Sequence, residues 1–313
     1  MIWGNLLHLG YNMWEDRDEP DLEARRAQPY LRCEPELWRG LTQQMAGAGL
    51  NLLVIDLGEG VRFESHPELA VAGSWTTSQL RAELRRLRAL GLEPIPKMNF
   101  STTHDAWLGE YARMVSTARY YEVLRDLIAE ACALFEQPRF FHLGMDEETA
   151  ENQRYDSCAI IRQHELWWHD FYFMIEQVEK GGARPWIWAD YVWHHADEFF
   201  RKMPRSVVQS NWYYGEEFSG FSGTDAHQNE LYVRAYRQLE EHGFDQIPTG
   251  SNWSYAHNFE RTVEFCRQHI APERLLGFLT APWHPTLESY RAQHEAAIAQ
   301  VQAVRCRDES RAK

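Results

Sequence analysis

Gly49-Leu50-Asn51-Leu52-Leu53-Val54-Ile55-Asp56-Leu57 and, one helix-length later, Gly91-Leu92-Glu93-Pro94-Ile95-Pro96-Lys97-Met98-Asn99 decide how this chain folds. Each stretch is a glycine followed by a short apolar run that closes on polar residues. A run of Leu, Val and Ile from Asn51 to Leu57 is too short for a typical helix, and its unbroken apolarity fits a strand buried on both faces. Between the two runs, Leu80, Leu84 and Leu87 recur at helical spacing on an arginine-studded stretch, the stripe of a helix with one buried side. Gly49 and Gly91 stand where such a helix must stop, because glycine enters the left-handed conformation without a Cβ penalty. The whole reads as one strand–helix–strand unit of a parallel sheet.

The same alternation runs through the chain. Strand candidates are Asn5 to Leu9, Asn51 to Leu57, Glu93 to Asn99, Arg139 to Gly144, Pro185 to Ala189, Val207 to Asn211, Gln246 to Ser251 and Leu275 to Thr280. A second clear helix carries Tyr120, Leu124, Leu127, Ile128, Ala131 and Phe135 on one face. Eight units in 313 residues predict an α/β fold of the (β/α)8 TIM-barrel type, read as a single domain over 1–313 with a frayed tail from about 306. An open doubly wound sheet is the runner-up. Against it, no strand is followed by GxGxxG or GxxxxGK[ST], and Gly58-Glu59-Gly60 lacks the third glycine of a nucleotide cradle.

The formal net charge of −14 argues against nucleic acid as a partner, since a phosphate backbone calls for a basic face. No stretch approaches the ~20 apolar residues of a membrane-spanning helix, so no membrane partner is expected. The opening residues lack the basic flank and apolar run of a signal peptide, and the expected location is cytoplasmic. Five scattered cysteines, odd in number and without CxxC spacing, read as buried free thiols. No cofactor is implied, and a homo-oligomer is left open.

In a barrel the site forms at the C-terminal ends of the strands. Those ends read Tyr11-Asn12-Met13-Trp14-Glu15-Asp16, Asp56-Leu57-Gly58-Glu59, Lys97-Met98-Asn99 with His104 beyond, and His142-Leu143-Gly144-Met145-Asp146-Glu147-Glu148. The remaining four read Trp188-Ala189-Asp190, Asn211-Trp212-Tyr213-Tyr214, Ser251-Asn252-Trp253-Ser254-Tyr255 and Ala281-Pro282-Trp283-His284. Tryptophans thus recur at four strand ends, at Trp188, Trp212, Trp253 and Trp283. Aromatic walls with interleaved acids and amides suit a carbohydrate, whose C–H faces stack while its hydroxyls hydrogen-bond. Asp146 and Glu147 form the densest acidic point, with Glu148 as the solvent-facing member. Side chains alternate along a strand, so Asp146 and Glu147 both reach one pocket only if the strand has already given way to loop. Paired acids at an aromatic rim are what glycoside hydrolysis asks for.

His142-Leu143-Gly144-Met145-Asp146-Glu147 resembles the H-x-G-G-D-E motif after the fourth strand of family 20 glycoside hydrolases, the β-N-acetylhexosaminidases. The resemblance implies Glu147 as general acid/base. It also implies that Asp146 orients a 2-acetamido group whose carbonyl oxygen attacks the anomeric carbon, an exception to the two-carboxylate rule. Similar, shorter matches place His104 at the third-strand segment, Trp188 and Asp190 at the fifth-strand Trp-x-Asp/Glu, Tyr255 at an acetamido-bonding tyrosine, and Trp212 and Trp283 at pocket tryptophans. The expected substrate is a terminal β-linked N-acetylhexosamine or a related sugar. Met145 stands at the motif's second glycine, no Pro-Gly precedes His104, and the first strand lacks the family's arginine.

Asn99, His142, Trp253 and Glu59 complete the candidate substrate-binding set, with Glu59 and Asp190 as nucleophile or base if the substrate has no acetamido group. Two other classes stay open. One is a non-catalytic carbohydrate-binding barrel. The other is an amidohydrolase-like metal site drawing on His8, His104, His142, His194, His195, His257 and His284; no HxH or HExxH spacing supports it, and no metal is assigned.

Overall fold

In the computed structural model, residues 1–14 and 26–311 are described, and all eight expected strands form. They are β1 (Ile2–His8), β2 (Leu52–Asp56), β3 (Glu93–Lys97), β4 (Phe140–His142), β5 (Arg184–Trp188), β6 (Val208–Ser210), β7 (Thr249–Gly250) and β8 (Gly277–Thr280). The helices between them are α1 (Pro35–Gly47), α2 (Thr77–Ala89), α3 (Ala118–Leu134), α4 (Glu165–Lys180), α5 (Tyr191–Lys202), α6 (Ala226–Glu241), α7 (Asn258–His269) and α8 (Arg291–Arg311). All ladders are parallel, in the order β6-β5-β4-β3-β2-β1-β8-β7. Isolated bridges Gln209 to Gln246 and Trp212 to Thr249 join β6 to β7 and close the ring. The fold is a (β/α)8 barrel.

Local signals act as read. Gly49 and Gly91 take φ of +80° and +81° just past α1 and α2, where a β-carbon would be strained. The Thr76 hydroxyl and the Gln79 side chain cap the start of α2 reciprocally. Leu80, Leu84 and Leu87 are fully buried on one face of α2, and Tyr120, Leu124, Leu127, Ile128 and Ala131 on one face of α3.

Strands buried on both faces sort their residues into two cores. Leu7, Leu53 and Ile55 belong to the layer between sheet and helices, whereas Ile2, Leu6, Leu52, Val54, Ile95 and Phe140 fill the barrel interior. At the top of that interior the pairing register puts His8 beside Asp56, Asp56 beside Lys97 and Lys97 beside His142. This polar tier is buried. Lys97 Nζ lies 2.5 Å from Asp56 Oδ2, and His8 Nδ1 lies 3.3 Å from the same oxygen, with the lysine side chain fully buried.

Some expectations are corrected. Helix α8 continues to Arg311. Cys158 and Cys306 are exposed, while Cys33, Cys132 and Cys266 are buried, and among the described residues no disulfide joins them. A short parallel pair, Val61–Arg62 with Trp75–Thr76, elaborates the link from β2 to α2. Among the described residues no helix is long and apolar enough to cross a membrane.

Candidate active site

β4 ends at His142, so the backbone has left the sheet before Asp146, and both acids border one cavity. The turn is sharp. Gly144 has φ +73°, and a β-carbon there would sit 1.9 Å from Asn99 Oδ1, so only glycine fits. Met145 and Glu147 also adopt positive φ, +76° and +58°. Left-handed backbone costs an ordinary residue roughly 1–2 kcal/mol and persists only where surrounding contacts hold it.

Those contacts grip Glu147 on both sides of its peptide. Its N–H donates to Asp190 Oδ2 at 2.8 Å, and its carbonyl accepts from Thr103 Oγ1 at 2.7 Å and Asn152 Nδ2 at 3.1 Å. The neighbouring Asp146 carbonyl accepts from the Ser101 hydroxyl. The next side chain is fixed as well. Glu148, expected to face solvent, is instead buried against Arg162, with Nε to Oε1 at 2.9 Å and Nη2 to Oε2 at 2.7 Å. Arg162 also reaches Asp170 on α4 and the Phe100 carbonyl past β3, so this ion pair ties the acidic turn to two neighbouring elements.

Asp146 Oδ1 accepts from Asn99 Nδ2 at 2.8 Å and lies 3.3 Å from His104 Nδ1. The other ring nitrogen, His104 Nε2, is 3.5 Å from Glu147 Oε2, so one imidazole bridges both acids. Burial works against charge on Asp146, but His104, Lys97 and the Asn99 amide outweigh it and hold the carboxyl down at about 2. Burial likewise disfavours a charged His104, and the two carboxylates overcome it and raise its pKa. Asp190 goes the other way, raised well above the carboxylate range by burial and by the charges of Asp146 and Glu147. Three acids in one neighbourhood are therefore pushed apart, Asp146 toward the anion and Asp190 toward the neutral acid, with Glu147 partly exposed between them.

The cavity holds about 270 Å³. Its walls are Trp212, Trp253, Trp283 and Tyr214, with Met13 and Trp14 from the segment after β1. Trp283 has φ +56°, donates its indole N–H to Tyr214 Oη at 2.9 Å, and accepts at its carbonyl from Tyr11 Oη at 2.8 Å. Trp212 stacks on Tyr214 with ring centroids 5.0 Å apart.

Of the sequence candidates, Asn99, His104, Asp146, Glu147, Trp212, Trp253 and Trp283 border this cavity. Five other candidates do not. His142 and Trp188 lie below it, ring centroids 4.3 Å apart, and Trp188 supports Trp283 at 5.7 Å. His142 Nδ1 accepts the Gly144 N–H at 3.0 Å and so shapes the β4 turn. Glu59 is buried, with its pKa raised by that burial, and accepts the N–H groups of Tyr11 and Asn12 at 2.7 and 3.0 Å, which fixes the start of the β1 loop. Asp190 sits behind Glu147, and Tyr255 is 45% exposed on an adjoining groove. Glu15 and Asp16 lie outside the described residues. His194 and His195 lie near the start of α5, which kinks at His195.

Sequence reasoning missed Tyr214, Trp14, Met13 and Asn152. The first three stood in the strand-end strings already quoted; Asn152 carried no signal. His104, Asp146 and Glu147 also bring one potential metal-ligand atom each within 4.8 Å of one another. A single ion there would compete with the histidine's contacts, because each carboxylate faces a different ring nitrogen.

No family sequence profile and no curated sequence matches the chain. Solved structures do. A β-N-acetylhexosaminidase from Bacteroides fragilis aligns with TM-score 0.64 at 13% identity, over 96% of this chain and 65% of its own. An exo β-N-acetylglucosaminidase of family 20 from Vibrio harveyi, in complex with N-acetylglucosamine, aligns with TM-score 0.63 at 15% identity, over 96% and 54%. The family 20 β-N-acetylhexosaminidase from Streptomyces coelicolor gives 0.62 at 13%, over 94% and 63%. The chain spans roughly half to two thirds of the length of these proteins, and what it shares with them at such identity is the barrel.

Proposed function

We propose that the chain is an exo-acting glycoside hydrolase that removes a terminal β-linked N-acetylhexosamine, or a closely related sugar, with retention. Glu147 is the acid/base, and Asp146 orients the 2-substituent. The observation that carries this reading is the continuous contact from Asp146 through His104 to Glu147 inside an aromatic cavity below the usual range for drug-sized ligands, which suits one pyranose ring. The family resemblance and the shared barrel support it.

The chemistry follows from the charge states. Asp146, anionic above about pH 2, accepts the acetamido N–H and balances the positive charge that grows as the carbonyl oxygen bonds to the anomeric carbon. The glycosidic C–O bond breaks as this bond forms, and Glu147 delivers its proton to the departing oxygen. In the second half Glu147 takes a proton from water, whose oxygen attacks the anomeric carbon and releases the acetamido group. Indole faces at Trp212, Trp253 and Trp283 hold the ring by its C–H surfaces.

A panel of nitrophenyl glycosides tests this, with chromophore release expected from an N-acetylhexosaminide. Glu147→Gln should lower kcat by about 10²–10⁴-fold without changing thermal unfolding. Full activity in that variant removes Glu147 from the reaction, and binding without release by the parent protein leaves a sugar-binding barrel. The close set of His104, Asp146 and Glu147 favours a metal site as the second reading; loss of turnover in chelator, restored by a divalent cation, would select it.

A further inference from the structure

Asp190 stands where three consecutive strand ends meet. Just below it the Trp188 N–H donates to the Gly144 carbonyl and the Ala189 N–H to the Ser210 carbonyl, each at 3.0 Å. The registered pairing of β5 with β4 and with β6 ends at this level. A side chain then carries the connection upward. Asp190 Oδ2 accepts the Glu147 N–H at 2.8 Å, and Oδ1 accepts the Trp212 indole N–H at 3.4 Å. One buried carboxyl thus joins the peptide of the acid/base to a wall of the aromatic cavity. The geometry points to Asp190 as a positioning residue, a strut that fixes where the Glu147 proton is delivered relative to a sugar ring lying on Trp212. This rests on Glu147 as proton donor.

The two ends of the strut differ in stiffness. Trp212 packs edge-on against Trp193, ring centroids 4.6 Å apart, and stacks on Tyr214 at 5.0 Å, while the Trp193 indole N–H donates to Asn211 Oδ1 at 2.8 Å. Asp190 itself heads α5, which begins at Tyr191. That end is rigid. Glu147, at φ +58°, holds a conformation that persists only while its contacts do. Thr103 and Asn152 hold its carbonyl, and Asp190 holds its N–H. Releasing the N–H frees rotation about φ, and the Glu147 carboxyl swings with it; a displacement of about 1 Å costs proton delivery about 10²-fold. The residue type fits this task. Two N–H donors converge, and a carboxyl offers each an oxygen, whereas an amide offers one acceptor and one donor. Asp190 does not border the aromatic cavity, so it acts through Glu147 and Trp212 rather than on the sugar.

The experiment uses the full chain and the sugar that the nitrophenyl panel selects, presented as its dinitrophenyl glycoside and as its methyl glycoside. Dinitrophenolate departs without a proton; methanol needs one. Asp190→Ala should lower kcat/KM on the methyl glycoside about 10²-fold and on the dinitrophenyl glycoside less than about threefold. A merely structural role would lower both alike. Asp190→Asn keeps an oxygen for the Glu147 N–H and should bring the methyl glycoside back to within about tenfold of the parent. Its NH2 then opposes the Trp212 N–H, and binding of the free monosaccharide, followed by tryptophan fluorescence, should weaken about threefold. Trp212→Phe removes the opposed donor, so its own effect on that binding should be smaller in the Asp190→Asn background than in the parent. Unfolding curves check that the variants fold. Equal losses on the two glycosides, or Asp190→Asn as impaired as Asp190→Ala, would overturn the strut while sparing Glu147, provided that Glu147→Gln still separates the two leaving groups. Additive binding effects would overturn its attachment to the wall. If Glu147→Gln fails to separate them, or the parent turns over neither glycoside, the acid/base reading falls and this inference with it.

Discussion

Two groups of buried charge sit one above the other in the barrel. In the lower tier, Asp56 is sealed between Lys97 and His8; in the upper, Asp146 is held by Asn99 and His104 and opens onto a cavity. Both carboxyls are driven below their ordinary value against burial, in each case by a neighbouring cation or hydrogen-bond donor. The chemistry is alike and the setting is not. Below, every direction from the carboxylate meets packed protein; above, one side meets space that a ligand can fill. A low pKa in a buried acid therefore identifies a function only together with access.

The sharpest way to break the comparison is to remove the lower cation. Lys97→Met leaves Asp56 buried without its charge partner and should destabilise the fold by about 3–5 kcal/mol, read as a lower urea midpoint. Should stability survive, the tier is not the electrostatic unit that the distances indicate. Asp146→Asn should act mainly on the reaction, lowering kcat by about 10²–10³-fold, since it removes the charge that balances the transition state. Its pH signature has a definite sign. The Asp146 carboxyl ionises at about 2 in the folded chain against an ordinary 3.8, so its contribution is full above the ordinary value and is lost as pH falls through about 2. The variant should lack that part of acid destabilisation, measured by unfolding between those pH values.

The smallest effect concerns Met145, buried yet at φ +76°. Met145→Ala gives up packing and keeps the strain, whereas Met145→Gly gives up the same packing and relieves it. Glycine should therefore be the more stable of the two by about 1 kcal/mol, the reverse of the usual order in regular structure. Denaturation of the pair decides it.

The barrel was legible because its strands announce themselves. Leu52 to Ile55 admits no half-exposed reading, and Gly49 and Gly91 mark the turns before two strands. The acidic turn was legible too, since Asp146 and Glu147 follow directly on an apolar run. What escaped depended on partners far along the chain. Glu148 looked solvated until Arg162, fourteen residues away, folded back on it. Glu59 looked like a rim acid, but the amides of Tyr11 and Asn12 claim it. Tyr214 rather than Tyr255 borders the cavity because loop paths past β6 and β7 set which ring turns inward, and no periodicity records a loop path.

The ring of strands is stitched unevenly. β1 and β2 share five registered residue pairs, whereas β6 meets β7 only through lone bridges at Gln209 and Trp212. Cooperative hydrogen bonding is thinner along that seam than between β1 and β2, so transient parting is cheaper there and would carry Trp212 with it. One wall of the cup thus hangs on a sparsely stitched joint, and breathing of the scaffold there becomes loosening of the grip on whatever sits inside.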